Sequence, residues 1–220
     1  MIGNARTDIR AEIDTQYEIL SQMIEDIADR YQKDALQLEE RVKRMAEEDS
    51  GGDEDIKHTI QRNFDASFEK QNSLAFEASK ILFCAIFSYC ESMLYEIISY
   101  FKIPRKKANQ IEHLIGKITK EYETRYTDVL SLPNERIISD FYRPLRNWYL
   151  HGQMDSVKDR ENLRLFAKQD ERISIYPGCE ITDNDFLRDS LNKINSFLVF
   201  IEEAYCKKEK EYNWKNTNNI

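Results

Sequence analysis

Chain breakers are scarce: four prolines and six glycines in 220 residues, so each marks a boundary. Cysteine is sparse too. Cys84, Cys90, Cys179 and Cys206 are widely spaced and form no C-x-x-C pair, which argues against a disulfide framework or a structural zinc. Cys84 and Cys90 lie in an apolar helical run, where a free thiol acts as a small hydrophobe. Of the three histidines, His58 and His113 have no Cys or His at ligand spacing, so no metal site and no cofactor is read here. The longest apolar run, ILFCAIFSYC at 81–90, is too short to span a bilayer and ends at Glu91. The opening MIGNARTDIR lacks the apolar stretch of a secretory signal. No membrane association is expected, and the cytoplasm is the expected compartment. A net charge of -8 and a pI of about 5.1 argue against broad, sequence-independent binding to nucleic acid, which needs a basic surface. A small basic site within an acidic molecule stays compatible with that sum.

What is present is a globular composition, 41% hydrophobic and 33% charged, long enough for one core or one core with an extended appendage. From about 8 to 48, Ile13, Tyr17, Leu20, Ile24, Ile27, Tyr31, Ala35, Leu38, Val42 and Met45 recur at spacings of three and four, the seam of a long amphipathic helix. DSGGDED at 49–55 breaks it. A second helix is expected from about 56 to 101, on Ile60, Phe64, Phe68, Ala75, Ala78, Leu82, Ala85, Tyr89, Met93 and Ile97. Two such helices around a glycine turn form an antiparallel hairpin. At roughly 60 Å for forty residues, its outer part is expected to project as a stalk that contacts a partner or a second copy; packing along the bundle is the alternative.

KIPRKKANQIEHLIGKITKEY predicts a third helix with Pro104 in its first turn. Its basic start, Arg105, Lys106 and Lys107, runs against the acids favoured there; it is either a visit point for an anion or a solvated face. Residues 134–151 predict a fourth helical region restarted at Pro144. LRLFAK and RISIYP around QDE suggest a small β-hairpin. TDND then caps a last helix on Leu187, Leu191, Ile194, Leu198, Ile201 and Tyr205. The tail from 207 to 220 has no periodicity and is expected to fray. The resulting organisation is 1–55 as helix and turn, 56–206 as an all-α domain, and 207–220 as a polar tail.

One constellation carries chemistry: DFYRPLRNWYLHG at 140–152. Asn147 and His151 lie one turn apart on one helical face, with Arg146 beside Asn147 and Arg143 four residues ahead of it. Arginine binds a phosphate through two parallel hydrogen bonds, histidine exchanges protons near neutral pH, and an amide orients either. Together these suit RNA cleavage by the 2'-hydroxyl without a metal, with His151 moving protons and Arg146 balancing charge on phosphorus. DNA lacks that hydroxyl. Arg ahead of His at such a distance carries little alone; Asn directly after the Arg narrows chance to the order of 1 in 100. The alternative is structural: a histidine before a C-capping glycine and an arginine paired to a buried acid.

RNWYLHG resembles the R-N-x-x-x-H motif of HEPN domains, the higher eukaryotes and prokaryotes nucleotide-binding family. IFSYCESMLYEI is similar to the stretch of these domains where an acid interrupts an apolar helix. The resemblance covers roughly 56–206, and the N-terminal helix is an elaboration on it. It implies an all-α helical bundle that dimerises, with motifs from two protomers in one cleft. It further implies a metal-independent endoribonuclease of the toxin–antitoxin and phage-defence kind. Arg146, Asn147 and His151 would then be catalytic, with an antitoxin or defence partner held by the N-terminal helices. Arg143 would add to the basic site. Glu91 would preset Arg146 if buried beside it, or else lie on the wet side of its helix. Trp148 and Tyr149 are positioned to stack on bases or to pack in the core. Two other functions fit the same residues: a non-catalytic interaction module acting through the hairpin, and a nucleotide-binding domain that grips phosphate without turnover.

Overall fold

The computed structural model describes residues 8–104, 110–152, 156–174 and 179–218. The fold is all-α with one small antiparallel β-hairpin before the last helix. Helix α1 (Ile9–Asp49) starts on Asp8, whose side chain accepts from the Arg10 amide. It ends at a turn in which Gly51 and Gly52 take φ of 55° and 92°, left-handed values that suit glycine. Asp53 then caps α2 (Glu54–Asn63), accepting from the Asp55 and Ile56 amides. The helix expected over 56–101 is broken once: α2 stops at Phe64 and α3 (Asp65–Tyr100) begins behind it.

Helix α3 is the axis of the core. Phe83, Ile86, Cys90, Leu94 and Ile97 have no exposed surface, and each large apolar side chain so buried contributes about 1.5–3 kcal/mol. Around it lie the first half of α1, α4 (Ile111–Tyr126) and α8 (Asp185–Asn218). Cross-links set the directions. The Tyr89 hydroxyl lies 3.2 Å from the Ile13 carbonyl, and Tyr31 donates to the Leu74 carbonyl at 3.0 Å, so α1 and α3 run antiparallel. Arg188 grips Glu25 through two 2.7 Å hydrogen bonds and Arg10 reaches Glu203 at 3.0 Å, so α8 is antiparallel to α1.

The hairpin divides by burial. Ile9, Ile13, Leu20 and Ile24 join the core, so α1 is not an appendage in its first half. From 25 to 78 only Val42, Ala46 and Ser50 are buried, none within that core, and the outer hairpin packs on itself. One stretch, Glu54–Tyr100, contains a window apolar enough by length and composition to cross a membrane, at a mean hydropathy of 1.6; 56% of that window is buried inside the molecule, where it forms the core.

Three further expectations are corrected. The third helix starts at Ile111, and Pro104 lies ahead of it outside any helix. LRLFA of that segment is helical, within α7 (Val157–Ala167), with Lys168 as its C-cap, because Leu163 and Ala167 bury one face at a four-residue spacing while Leu165 is exposed. The hairpin strands are instead β1 (Ile173–Ser174) and β2 (Glu180–Ile181), paired Ile173 to Ile181. The tail is helical as far as Asn218, with Lys208 bonded to Asp128 at 3.0 Å.

Candidate functional site

The motif sits at the end of one nearly continuous axis. A helical turn, α5 (Glu135–Ile137), runs into a five-residue π-helical segment, Ile138–Tyr142, and then into α6 (Arg143–His151). The π geometry appears in the Arg143 amide, which bonds the Ile138 carbonyl five residues back. Pro144 stands in the first turn of α6 and gives the preceding turn no N–H, while Arg143 Nε donates to the Ser139 carbonyl there at 3.3 Å. Phe141, Tyr142 and Leu145 anchor the axis in the core; the Phe83 ring meets those of Tyr142 and Tyr149 edge-on at 5.7 and 5.9 Å. Gly152, at φ 66°, closes α6 by donating to the Trp148 carbonyl at 2.9 Å.

Arg146 and Glu91 come together across α6 and α3. Arg146 Nη2 lies 3.7 Å from Glu91 Oε2, and each side chain is 25% exposed. Nη1 donates to Asn147 Oδ1 at 3.1 Å, while Nε is buried without a partner among the described residues. The guanidinium carbon sits 6.0 Å from the Phe87 ring centroid, within cation–π range. Burial raises the Glu91 carboxyl above the ordinary range; the Arg146 charge pulls it down and Glu112 pushes it up. Glu91 is thus half-buried beside Arg146 rather than on the wet side of α3.

His151 is exposed at the end of α6 and has no hydrogen bond or ion pair among the described residues. Arg143 is placed differently from the expected second cation. Its Nε pairs with Glu112, and its Nη2 meets Asp159 Oδ1 at 2.5 Å. Asp159 is 5% exposed, so Arg143 ties α4, α6 and α7 together and its charge is balanced inside the chain. Trp148 and Tyr149 pack against the core, and the Tyr149 hydroxyl is itself buried. Arg105, Lys106 and Lys107 lie outside the described residues. Among the described residues no group of three or more His, Cys, Asp or Glu is placed to hold a metal.

Sequence reasoning missed Phe87, Glu112 and Asp159. Phe87 was findable, since it stands four residues before Glu91 and therefore on the same helical face. The partners of Arg143 come from distant helices and leave no local signal. Compared with protein-family models, with curated proteins and with solved structures, the chain gives no match, so the HEPN resemblance rests on the motif and its placement alone.

Proposed function

We propose that the chain is a metal-independent endoribonuclease of HEPN type, a cytoplasmic toxin or phage-defence component that works as a homodimer. The observation that carries the reading is the grouping on α6: Arg146 held at a helix interface by Glu91, Asn147 bonded to it, and His151 open to solvent at the capped end. His151 takes the proton of a 2'-hydroxyl, whose oxygen bonds to the adjacent phosphorus as the bond to the 5'-oxygen breaks. The same side chain in a second copy returns a proton to the departing 5'-oxygen. Arg146 donates to the phosphoryl oxygens, on which negative charge builds in the transition state. Pairing two motifs in one cleft also doubles the local positive charge in an acidic chain.

The test is induction in a bacterial host of the wild type against His151→Ala, with total RNA sized and its ends analysed. Arrested growth and RNA fragments ending in 2',3'-cyclic phosphate, with the wild type only, support the reading. Cleavage by both proteins would assign the chemistry elsewhere.

A second role is favoured by the outer hairpin. Leu36, Ile56 and Leu74 are half-exposed there, and Leu74 lines an open cleft of about 790 Å³ between α1 and the start of α3. Such a surface suits a partner protein that restrains or triggers the nuclease. Loss of a co-purifying partner on Leu36→Glu with Leu74→Glu, with cleavage intact, would support it.

A further inference from the structure

Beside the axis that leads into α6 lies a second cavity, of about 410 Å³. Asn134, Arg136 and Ile137 wall one side; Asn162, Phe166 and Gln169, from α7 and the turn after it, wall the other. The polar lining is three amides and one guanidinium, with no carboxylate among the described residues. Asn162 Nδ2 is buried and has no hydrogen-bond partner among the described residues. A buried donor without an acceptor is costly, and native folds retain few of them. The opposite wall is fixed: Asn134, at φ 59°, donates its Nδ2 to the Lys193 carbonyl at 3.1 Å. Phe166 is held flat against Phe141, with centroids 5.0 Å apart and planes at 12°.

These groups describe their ligand. Amides that each offer a donor and an acceptor match the edge of a planar, uncharged heterocycle, as asparagine and glutamine do with bases. The volume lies within the range of small-molecule sites. Cations flank the cavity rather than fill it. The Arg136 side chain is 87% exposed at its rim, where its Nε lies 3.8 Å from Asp140 Oδ2. Lys158 stands one helical turn before Asn162 on the same face of α7, towards the motif, and has no ion pair among the described residues. Ile137 is nine residues before Arg146 on the continuous axis, a separation on the order of 13 Å at 1.5 Å per residue. A short stretch of single-stranded RNA spans that distance.

We propose that this cavity holds a nucleobase of the RNA strand. Base identity is read by Asn162 and Gln169, while Arg146 and His151 act on a phosphate and ribose common to every position. The inference rests on the ribonuclease reading and supplies the sequence preference that the motif lacks.

The test uses the full chain with His151→Ala, which keeps RNA intact, and labelled oligo-A, oligo-C, oligo-G and oligo-U in a fluorescence anisotropy titration. One oligomer should bind about tenfold more tightly than the others, the discrimination of a well-placed amide–base pair. Adding Asn162→Ala or Gln169→Ala should abolish that preference and leave the weaker affinities unchanged. Gln169 is exposed and Asn162→Ala removes an unsatisfied donor, so both variants should melt with the parent. Equal binding of all four oligomers, or a preference untouched by both variants, overturns the proposal. A nucleoside monophosphate that binds more tightly than any oligomer would assign the cavity to free nucleotide and overturn the strand reading. The two readings fail separately. Cleavage by the chain with His151 intact, with a preference untouched by both variants, sinks the cavity alone. Base-selective binding lost in both variants, with RNA left whole by the His151 form, sinks the nuclease alone.

Discussion

Arg146 and Glu91 face each other from neighbouring helices with Nη2 and Oε2 3.7 Å apart, which is electrostatic contact without a hydrogen bond. The carboxylate therefore aims the guanidinium without gripping it. A phosphate that forms two parallel hydrogen bonds with the same group displaces such a contact.

Glu91 gives a pH signature. Burial raises its carboxyl, with Arg146 opposing and Glu112 assisting, so the folded chain keeps the proton to higher pH than the unfolded chain. Its contribution to stability is then fullest below the ordinary value of 4.5 and is lost as pH rises through the folded value. Glutamine carries no such dependence. In urea unfolding, Glu91→Gln should gain stability relative to the parent between about pH 4 and about pH 7. A difference that stays constant across that range would contradict the raised carboxyl.

The His151 side chain is exposed and unpaired among the described residues, so His151→Ala should leave stability within about 0.5 kcal/mol. RNA cleavage should fall by about 100-fold or more, the contribution of a general acid–base group. Matched melting curves beside a kinetic assay separate the two effects. A cleavage rate that follows stability would make the residue structural.

Arg143 should behave in the opposite way. Arg143→Ala leaves the buried Asp159 carboxylate without its cation and should cost about 3 kcal/mol. Adding Asp159→Asn should recover part of that loss, because the orphaned charge is gone. A double-mutant cycle in urea measures it, and an additive result would show that the pair is not coupled.

The long seams were legible because three- and four-residue spacing survives wherever one helix face meets a core, as Ile13, Leu20 and Ile24 do. Glu91 beside Arg146 was legible too, since a carboxylate in an apolar helix needs a cation. The break at Phe64 was not, having neither glycine nor proline to mark it. Leu163 and Leu165 alternate like a strand, and only the pairing of Leu163 with Ala167 in the core decides for helix. The last helix continues past Cys206 on a largely charged and polar stretch in which Tyr212 and Trp214 are exposed, and no apolar spacing announces it. Arg143 looked like a free cation because Glu112 and Asp159 reach it only once α4 and α7 have folded beside α6.

The burial pattern predicts where the chain opens first. Residues 28–78 contribute only Val42, Ala46 and Ser50 to the buried set, whereas Leu82 to Ile98 are dense with core contacts. In hydrogen exchange, the outer hairpin amides should exchange ahead of those of 82–98, by opening that leaves the core closed. Equal protection along α3 would mean that the hairpin and core unfold as one unit.

The π-helical segment at Ile138–Tyr142 works as a rotary setting for everything after it. If those residues relaxed to α geometry, α6 would turn by about 100° and advance by about 1.5 Å, one residue's worth of helix. Arg146 would swing off Glu91 and Phe87, and His151 would face another quarter of the molecule. The aim of the whole motif is therefore stored in the winding of five residues that lie ahead of it.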